Sequence, residues 1–188
     1  MESIVDSKII LRKRILALRD QMKPDERRTE EFRIFQKIMK DPEYRARKEV
    51  FIYAAYRSEV STDMIIREAL SDGHRVYAPK IVDEENGSME FFRILGAADL
   101  APGYRGVPEP PANIGYDGSF DDVYMILPGA VFDSEGRRIG YGRGFYDRYL
   151  EGREAVFRTG VCFSCQMVEQ VPADPWDAVM NRVIRGDA

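Results

Sequence analysis

The chain has little of what most metal and thiol sites require: one histidine, His74, and two cysteines, Cys162 and Cys165, in 188 residues. A structural zinc site needs four Cys or His ligands, and this chain has neither a second cysteine pair nor a second histidine. The Cys-x-x-Cys pair follows a strand-like run, Phe157 to Phe163, whereas a redox-active pair sits exposed at a helix N-terminus, so both thiols read as ordinary buried side chains. No apolar run approaches the length of a bilayer span, and Met1 to Val5 lacks the apolar core of a secretory leader. A cytoplasmic protein without membrane contact is expected. The formal net charge of −4 gives no overall attraction for nucleic acid, so an anionic ligand has to be met by a local cluster of cations.

What is present describes a globular chain. An apolar fraction of 44% beside 32% charged residues is neither disordered nor fibrous, and the length suits a single domain over residues 1–188 with a helical arm. No internal repeat, low-complexity tract or linker divides it.

Leu11, Ile15, Leu18 and Met22 are spaced four, three and four, which predicts an amphipathic helix from about Ile4 to Met22. Lys23-Pro24 with Asp25 as N-cap opens a second helix, carrying Phe32, Ile34, Phe35 and Ile38 and ending near Asp41-Pro42. From Glu49 the pattern changes. Val50 to Tyr56 is a nearly continuous apolar run, as in a strand buried on both faces. Thr62 then caps a helix to about Leu70, a turn follows at Ser71-Asp72-Gly73, and Val76-Tyr77-Ala78 completes a β-α-β unit. Met89 to Ile94 reads as a strand, the proline-rich Gly106 to Pro111 as a loop, Val123 to Leu127 as a buried strand, Phe145 to Leu150 as a short helix and Phe157 to Phe163 as a strand. Alternating strands and helices predict an α/β, three-layer sandwich with a mostly parallel or mixed central sheet, helices on both faces and an N-terminal helical arm.

The block from Pro128 to Arg148 starts where a strand ends, the place at which open α/β sheets hold ligands. Asp133 and Gly136 suit the first and last positions of a type I turn. Gly140, Gly142 and Gly144 remove every second side chain just before a helix, which opens backbone N–H groups to a ligand and describes a phosphate cradle. Arg137, Arg138 and Arg143 add forked donors for a polyphosphate. Asp147, in the first turn of the helix, suits either a cap or a phosphate-bound Mg²⁺. The spacing is neither the Walker pattern nor the dinucleotide pattern, so these residues by themselves reach an anion or nucleotide site and no further.

Two other features stand apart. Lys8 and Arg12 lie one turn apart on one helix face, where an anion between them would relieve their repulsion; a solvated basic face is the alternative. Glu59, in Arg57-Ser58-Glu59-Val60-Ser61-Thr62, follows a strand end and faces either the same crevice or solvent.

Together, Lys8-x-x-Leu11-Arg12, Ser58-Glu59-Val60-x-Thr62, Gly106-Val107-Pro108-Glu109-Pro110 and the Pro128 to Arg148 block resemble, in order and distance, the 5-formyltetrahydrofolate cyclo-ligase family, over nearly the whole chain. That resemblance implies an enzyme converting 5-formyltetrahydrofolate to 5,10-methenyltetrahydrofolate with Mg²⁺ and ATP as cosubstrate, working as a monomer on a reduced folate. It implies ATP contacts from Lys8, Arg12, Arg138, Gly140, Tyr141, Gly142, Arg143, Gly144, Phe145 and Tyr146. Folate contacts fall to Ala54, Glu59, Pro108, Gly142, Arg143, Gly144, Phe145 and Tyr146, and metal contacts to Asp147 and Asp177, the latter in Pro175-Trp176-Asp177. Arg138 and Glu59 would be catalytic. Phe145 stands where some members have Tyr, Tyr141 where some have a basic residue, and Asn181 where an Asp commonly occurs. Trp176, the only tryptophan, reads as a packing residue. The rival readings are a non-catalytic folate- or nucleotide-binding member and a sugar-phosphate or coenzyme A enzyme on a similar scaffold.

Overall fold

A computed structural model describes residues 4–187; the reading of the first three residues as no part of a leader lies outside them. Helix α1, Ile4–Asp20, forms as its periodicity predicts, but its buried residues are only Ile15 and Arg19, and Leu18 stays 48% exposed. It is an arm laid on the rim, not a core helix. Helix α2, Pro24–Met39, starts on Pro24 with Lys23 at the cap position, so Asp25 lies inside the first turn instead of capping it. Its acidic first turn suits the helix dipole. The expected stop at Asp41-Pro42 begins a further short helix, α3, Pro42–Ala46, because the Asp41 carboxylate accepts the Glu43 N–H at 2.9 Å and Pro42 is already set for a first helical position.

Strand β1 is Glu49–Ile52, helix α4 Asp63–Ser71 and strand β2 Arg75–Asp83. β1 and β2 pair in parallel, Val50 opposite Val76, which makes the expected β-α-β unit. Thr62 occupies the cap position of α4, yet its hydroxyl donates to Tyr53 O at 2.9 Å; it pins the preceding loop and does not cap the helix. Strand β3, Ser88–Ile94, returns antiparallel along β2. Strand β4, Ala101–Pro102, pairs with β5, Pro108–Glu109, a short strand inside the Gly106 to Pro111 stretch expected to be loop. Strand β6, Val123–Leu127, leads to the hairpin of β7, Val131–Phe132, and β8, Arg138–Ile139, whose turn is closed by Gly136 N–H donating to Asp133 O at 3.2 Å. Helix α5, Phe145–Leu150, keeps the predicted bounds. Strand β9, Phe157–Cys162, is followed by β10, Arg182–Arg185, a strand too short and too charged at its ends to announce itself.

The main sheet has six strands in the order β10-β9-β6-β1-β2-β3, parallel except for β2 with β3. Period-two alternation divides it cleanly. Val50, Ile52, Tyr124, Ile126 and Val161 face one core, closed by Ile34 and Ile38 of α2, Tyr44 of α3 and Ile65 and Ile66 of α4. Phe51, Val123, Met125, Leu127 and Cys162 face the other, closed by Tyr149 and Leu150 of α5 with Phe91 and Met180. Helices therefore do lie on both faces, although one short helix and aromatic loops cover the second. A third, small cluster joins Ile15 of α1 to Val131, Ile139 and Val171 and seats the arm on the hairpin. Among the described residues no helix is long and apolar enough to cross a membrane.

Candidate functional site

β1 and β6 are neighbouring parallel strands, and the loops leaving their carboxyl ends meet the arm. This is where the chain folds around two adjoining cavities.

The first cavity, of about 450 Å³, is large enough for a heterocycle and falls within the usual range for small-molecule sites. Ala54, Tyr56 and Glu59 come from the loop after β1, and Val107 and Glu109 from the proline-rich segment. Pro108 does not line it; its neighbours on either side do, so the expected contact passes to them. Glu109 is buried and receives Lys80 Nζ at 3.1 Å. The Phe145 ring packs edge-on to Tyr104 with centroids 5.8 Å apart, and both rings line this cavity.

Glu59 does not face solvent. Its carboxylate accepts the Tyr56 N–H at 2.8 Å, and the Tyr141 hydroxyl acts on its titration from the same cavity. Burial raises its affinity for a proton, and these two groups together with the charge of Arg19 offset that only in part, so its pKa lies above the ordinary value. Arg19 itself carried no signal in the sequence beyond being basic in the last turn of a helix. The structure buries it, with Nε donating to Ser58 Oγ at 3.1 Å and a terminal nitrogen to the Tyr141 hydroxyl at 2.8 Å. Arg27 of α2 holds the same loop, donating to Ser58 O at 2.7 Å and Glu59 O at 3.2 Å. Both arginines are positioning residues that local sequence patterns do not reveal.

The second cavity, of about 280 Å³, is lined throughout by residues 138–147 and also by Lys8, Arg12, Asp174, Trp176 and Asp177. Every residue that the family resemblance placed at a nucleotide or metal is therefore here, and Arg137, expected beside them as a phosphate donor, is not. The arm reaches it directly: Arg12 donates to Gly140 O at 3.1 Å, and a Cβ on Gly142, whose φ is +95°, would come within 2.8 Å of the Arg12 guanidinium. The positive φ favours glycine at that position, and a side chain there would also push the Arg12 guanidinium aside. Gly142 and Gly144, expected near both ligands, line only this second cavity, whereas Arg143, Phe145 and Tyr146 line both.

The neighbouring arginines separate. Arg137 turns to Asp133, at 2.6 Å, and to Glu135, at 3.1 Å; Asp133 also accepts the N–H groups of Glu135, Arg137 and Val171. Arg137 holds the hairpin turn and is not a phosphate ligand. Arg138 is buried beside the cavity, pairs with Asp147 at 2.9 Å, and its Nε has no partner among the described residues. An orphan donor on a buried guanidinium that lines a cavity is suited to an oxyanion.

Asp147 thus pairs with a cation, and it also accepts the Ala178 N–H at 3.3 Å instead of capping α5. Asp177 is held by Lys8 Nζ at 2.5 Å, and the same ammonium reaches Asp174 at 2.7 Å. Burial opposes the charge on Lys8, but the two carboxylates outweigh it and its pKa is raised. No group of three or more metal-ligating side chains occurs among the described residues. Two carboxylates at one cavity nevertheless fit a Mg²⁺ that takes its remaining ligands from phosphate and water. Trp176 corrects the packing reading: it is 74% exposed and forms part of this cavity's wall. Asn181 belongs to neither cavity and ties the strands together, its side chain accepting Arg158 N–H and its N–H donating to Arg158 O, each at 2.8 Å. Cys162 is buried and Cys165 half-buried, both free thiols, and burial pushes both pKa values up.

The sequence profile of the 5-formyltetrahydrofolate cyclo-ligase family matches residues 4–186. The 5-formyltetrahydrofolate cyclo-ligase of Haemophilus influenzae is 27% identical over 147 residues, 77% of this chain and 79% of that protein. The mouse protein of the same description is 26% identical over 180 residues, 87% of this chain and 86% of its own length. Among solved structures, the 5,10-methenyltetrahydrofolate synthetase of Aquifex aeolicus superposes with a TM-score of 0.83 at 29% identity, covering 96% of this chain and 90% of that one. The synthetase of Mycoplasma pneumoniae superposes with a TM-score of 0.72 at 22% identity, covering 94% and 97%, and shares the fold.

Proposed function

Because this chain belongs to the 5-formyltetrahydrofolate cyclo-ligase family, we propose that it uses Mg·ATP to close 5-formyltetrahydrofolate to 5,10-methenyltetrahydrofolate, releasing ADP and phosphate. The enzyme class and the folate conversion follow from the family; the cosubstrate, the metal and the residue roles are our reading. The observation that carries it is the shared wall. An aromatic cavity sized for a heterocycle and a cationic, glycine-lined cavity meet at Arg143, Phe145 and Tyr146, so an acceptor held in one lies beside a phosphoryl donor held in the other.

The chemistry needs that adjacency. The formyl oxygen is a poor leaving group, and nitrogen-10 does not displace it as hydroxide at a useful rate. Transfer of the γ-phosphoryl group to that oxygen gives an imino-phosphate, nitrogen-10 attacks the same carbon, and the C–O bond then breaks as phosphate leaves. Phosphoryl transfer of this kind asks the protein mainly for position and charge stabilisation. Arg138, whose Nε is without a partner among the described residues, and Arg12 neutralise the phosphate oxygens, and the open backbone of Gly140–Gly144 lets them approach. Asp147 and Asp177 would hold Mg²⁺, which supplies charge neutralisation on the phosphates. Glu59, with its raised proton affinity, binds the pterin side of the folate and accepts or shares a proton there. No thiolate takes part, in keeping with the raised pKa of both cysteines.

Incubation with 5-formyltetrahydrofolate and Mg·ATP, followed by ultraviolet absorbance of the methenyl product, tests this directly. Product formed only when both ATP and the reduced folate are present supports the reading. Binding of both without turnover would establish a non-catalytic member instead.

A further inference from the structure

Trp176 is the one large flat side chain at the second cavity that the roles above leave unused. It is the only tryptophan of the chain, is 74% exposed, and among the described residues no aromatic ring or cation stacks on it. Its backbone is nonetheless well anchored. Asp177 N–H donates to Asp174 O at 3.0 Å, Asp174 N–H donates to the Asp177 carboxylate at 2.8 Å, and Lys8 ties both carboxylates to the arm. A fixed loop that holds an indole out at a cavity rim presents a surface that only a ligand or a partner would cover.

The lining of the cavity beside it favours a ligand. At about 280 Å³ the second cavity falls just below the ~300–1,000 Å³ that encloses a typical small ligand. The phosphate donors, Arg12, Arg138 and the glycine backbone, occupy it. A nucleotide whose phosphates meet those donors extends its base toward the open side of the cavity, where Trp176 forms the wall.

From this juxtaposition we infer that Trp176 is the stacking platform for the nucleotide's base. The inference rests on the nucleotide reading of the second cavity and goes beyond it by assigning the base a residue. Stacking on an indole accepts any purine face and supplies affinity without hydrogen-bond selection, so Trp176 sets affinity for nucleosides in general and not a preference for adenine.

A single tryptophan makes its own probe. Mg·ADP and Mg·tripolyphosphate, which has the phosphates but no base, are titrated against the intact protein by calorimetry and by tryptophan emission. ADP is expected to quench emission with the calorimetric midpoint, while tripolyphosphate binds competitively and leaves emission unchanged. Trp176→Ala is expected to raise the ADP Kd roughly tenfold, in line with one stacked base, with tripolyphosphate affinity little altered and Trp176→Phe restoring most of the loss. Equal quenching by both compounds means that the loop moves without stacking, and it overturns the assignment. So does ADP heat without any change in emission, or emission that changes on dilution of the unliganded protein, which would show that a second chain covers the indole. Absence of heat with either compound overturns the nucleotide reading itself, a result distinct from loss of the stacking role alone.

Discussion

Glu59 shows how one side chain joins two demands. It is desolvated, which disfavours its charge, yet its carboxylate accepts the Tyr56 N–H of its own loop and feels the charge of Arg19. A carboxyl whose pKa is raised on folding contributes stability that is fully present below its unfolded value and is lost as pH rises through the folded value. Glu59→Gln removes that titration. The variant is expected to unfold at higher temperature than the parent at neutral pH, with the gap closing once pH falls below the ordinary carboxylate range, while its KM for the folate rises and nucleotide binding is kept. An equal loss of ATP affinity would place Glu59 on the other half of the site. Asp147 makes the opposite case. Its partner Arg138 is buried with one nitrogen already unpaired among the described residues, so Asp147→Ala should cost stability as well as turnover, about 1–3 kcal/mol in a denaturation titration. Asp147→Asn, which keeps an acceptor for Arg138, should lose turnover with a smaller stability change; unaltered stability in the Ala variant would show that Arg138 is held by other means.

Among the elements, the arm is held by few buried apolar side chains. Helix α1 buries little beyond Ile15 and Arg19, and its apolar anchorage is the small cluster of Ile15 with Val131, Ile139 and Val171. It nevertheless carries Lys8 and Arg12 to the second cavity and Arg19 to the first. An element held weakly and tied to ligand groups opens independently of the main sheet. Ile15→Ala should therefore speed amide exchange across residues 4–18 far more than it lowers the denaturation midpoint of the sheet, even though a fully integrated core position would lose about 2–5 kcal/mol. Addition of Mg·ATP should slow exchange in the same stretch in the parent protein. Uniform loss of protection across the whole chain would make α1 part of the cooperative core and remove the arm from this account.

At the scale of the molecule, the sheet places both cavities at the carboxyl ends of β1 and β6 and lets them share Arg143, Phe145 and Tyr146. A shared wall makes the ligands neighbours and makes some substitutions felt by both. Tyr146→Leu is expected to raise the KM for ATP and for the folate together and to lower kcat, whereas a substitution confined to one cavity, such as Glu59→Gln, moves one KM only. If Tyr146→Leu shifts a single KM, the two cavities do not work as one site.

The sequence by itself determined the alternation of strands and helices, the doubly buried runs of β1 and β6, the bounds of α5 and the glycine-rich approach to it. These are local properties: period-two and 3.6-residue patterns and turn residues act over a few positions. It also carried the family's residue pattern. Only the tertiary structure decided which of two adjacent arginines meets the ligand, Arg138 beside the cavity or Arg137 on Asp133. It also decided that Val107 and Glu109 replace Pro108 at the wall, that Arg19 is a buried anchor, and that Trp176 stands in the open. The reason is the range of the interactions. The bond between Lys8 and Asp177 spans 169 residues, and no pattern within a few positions of either end encodes such a partner; the folded sheet alone brings the two together.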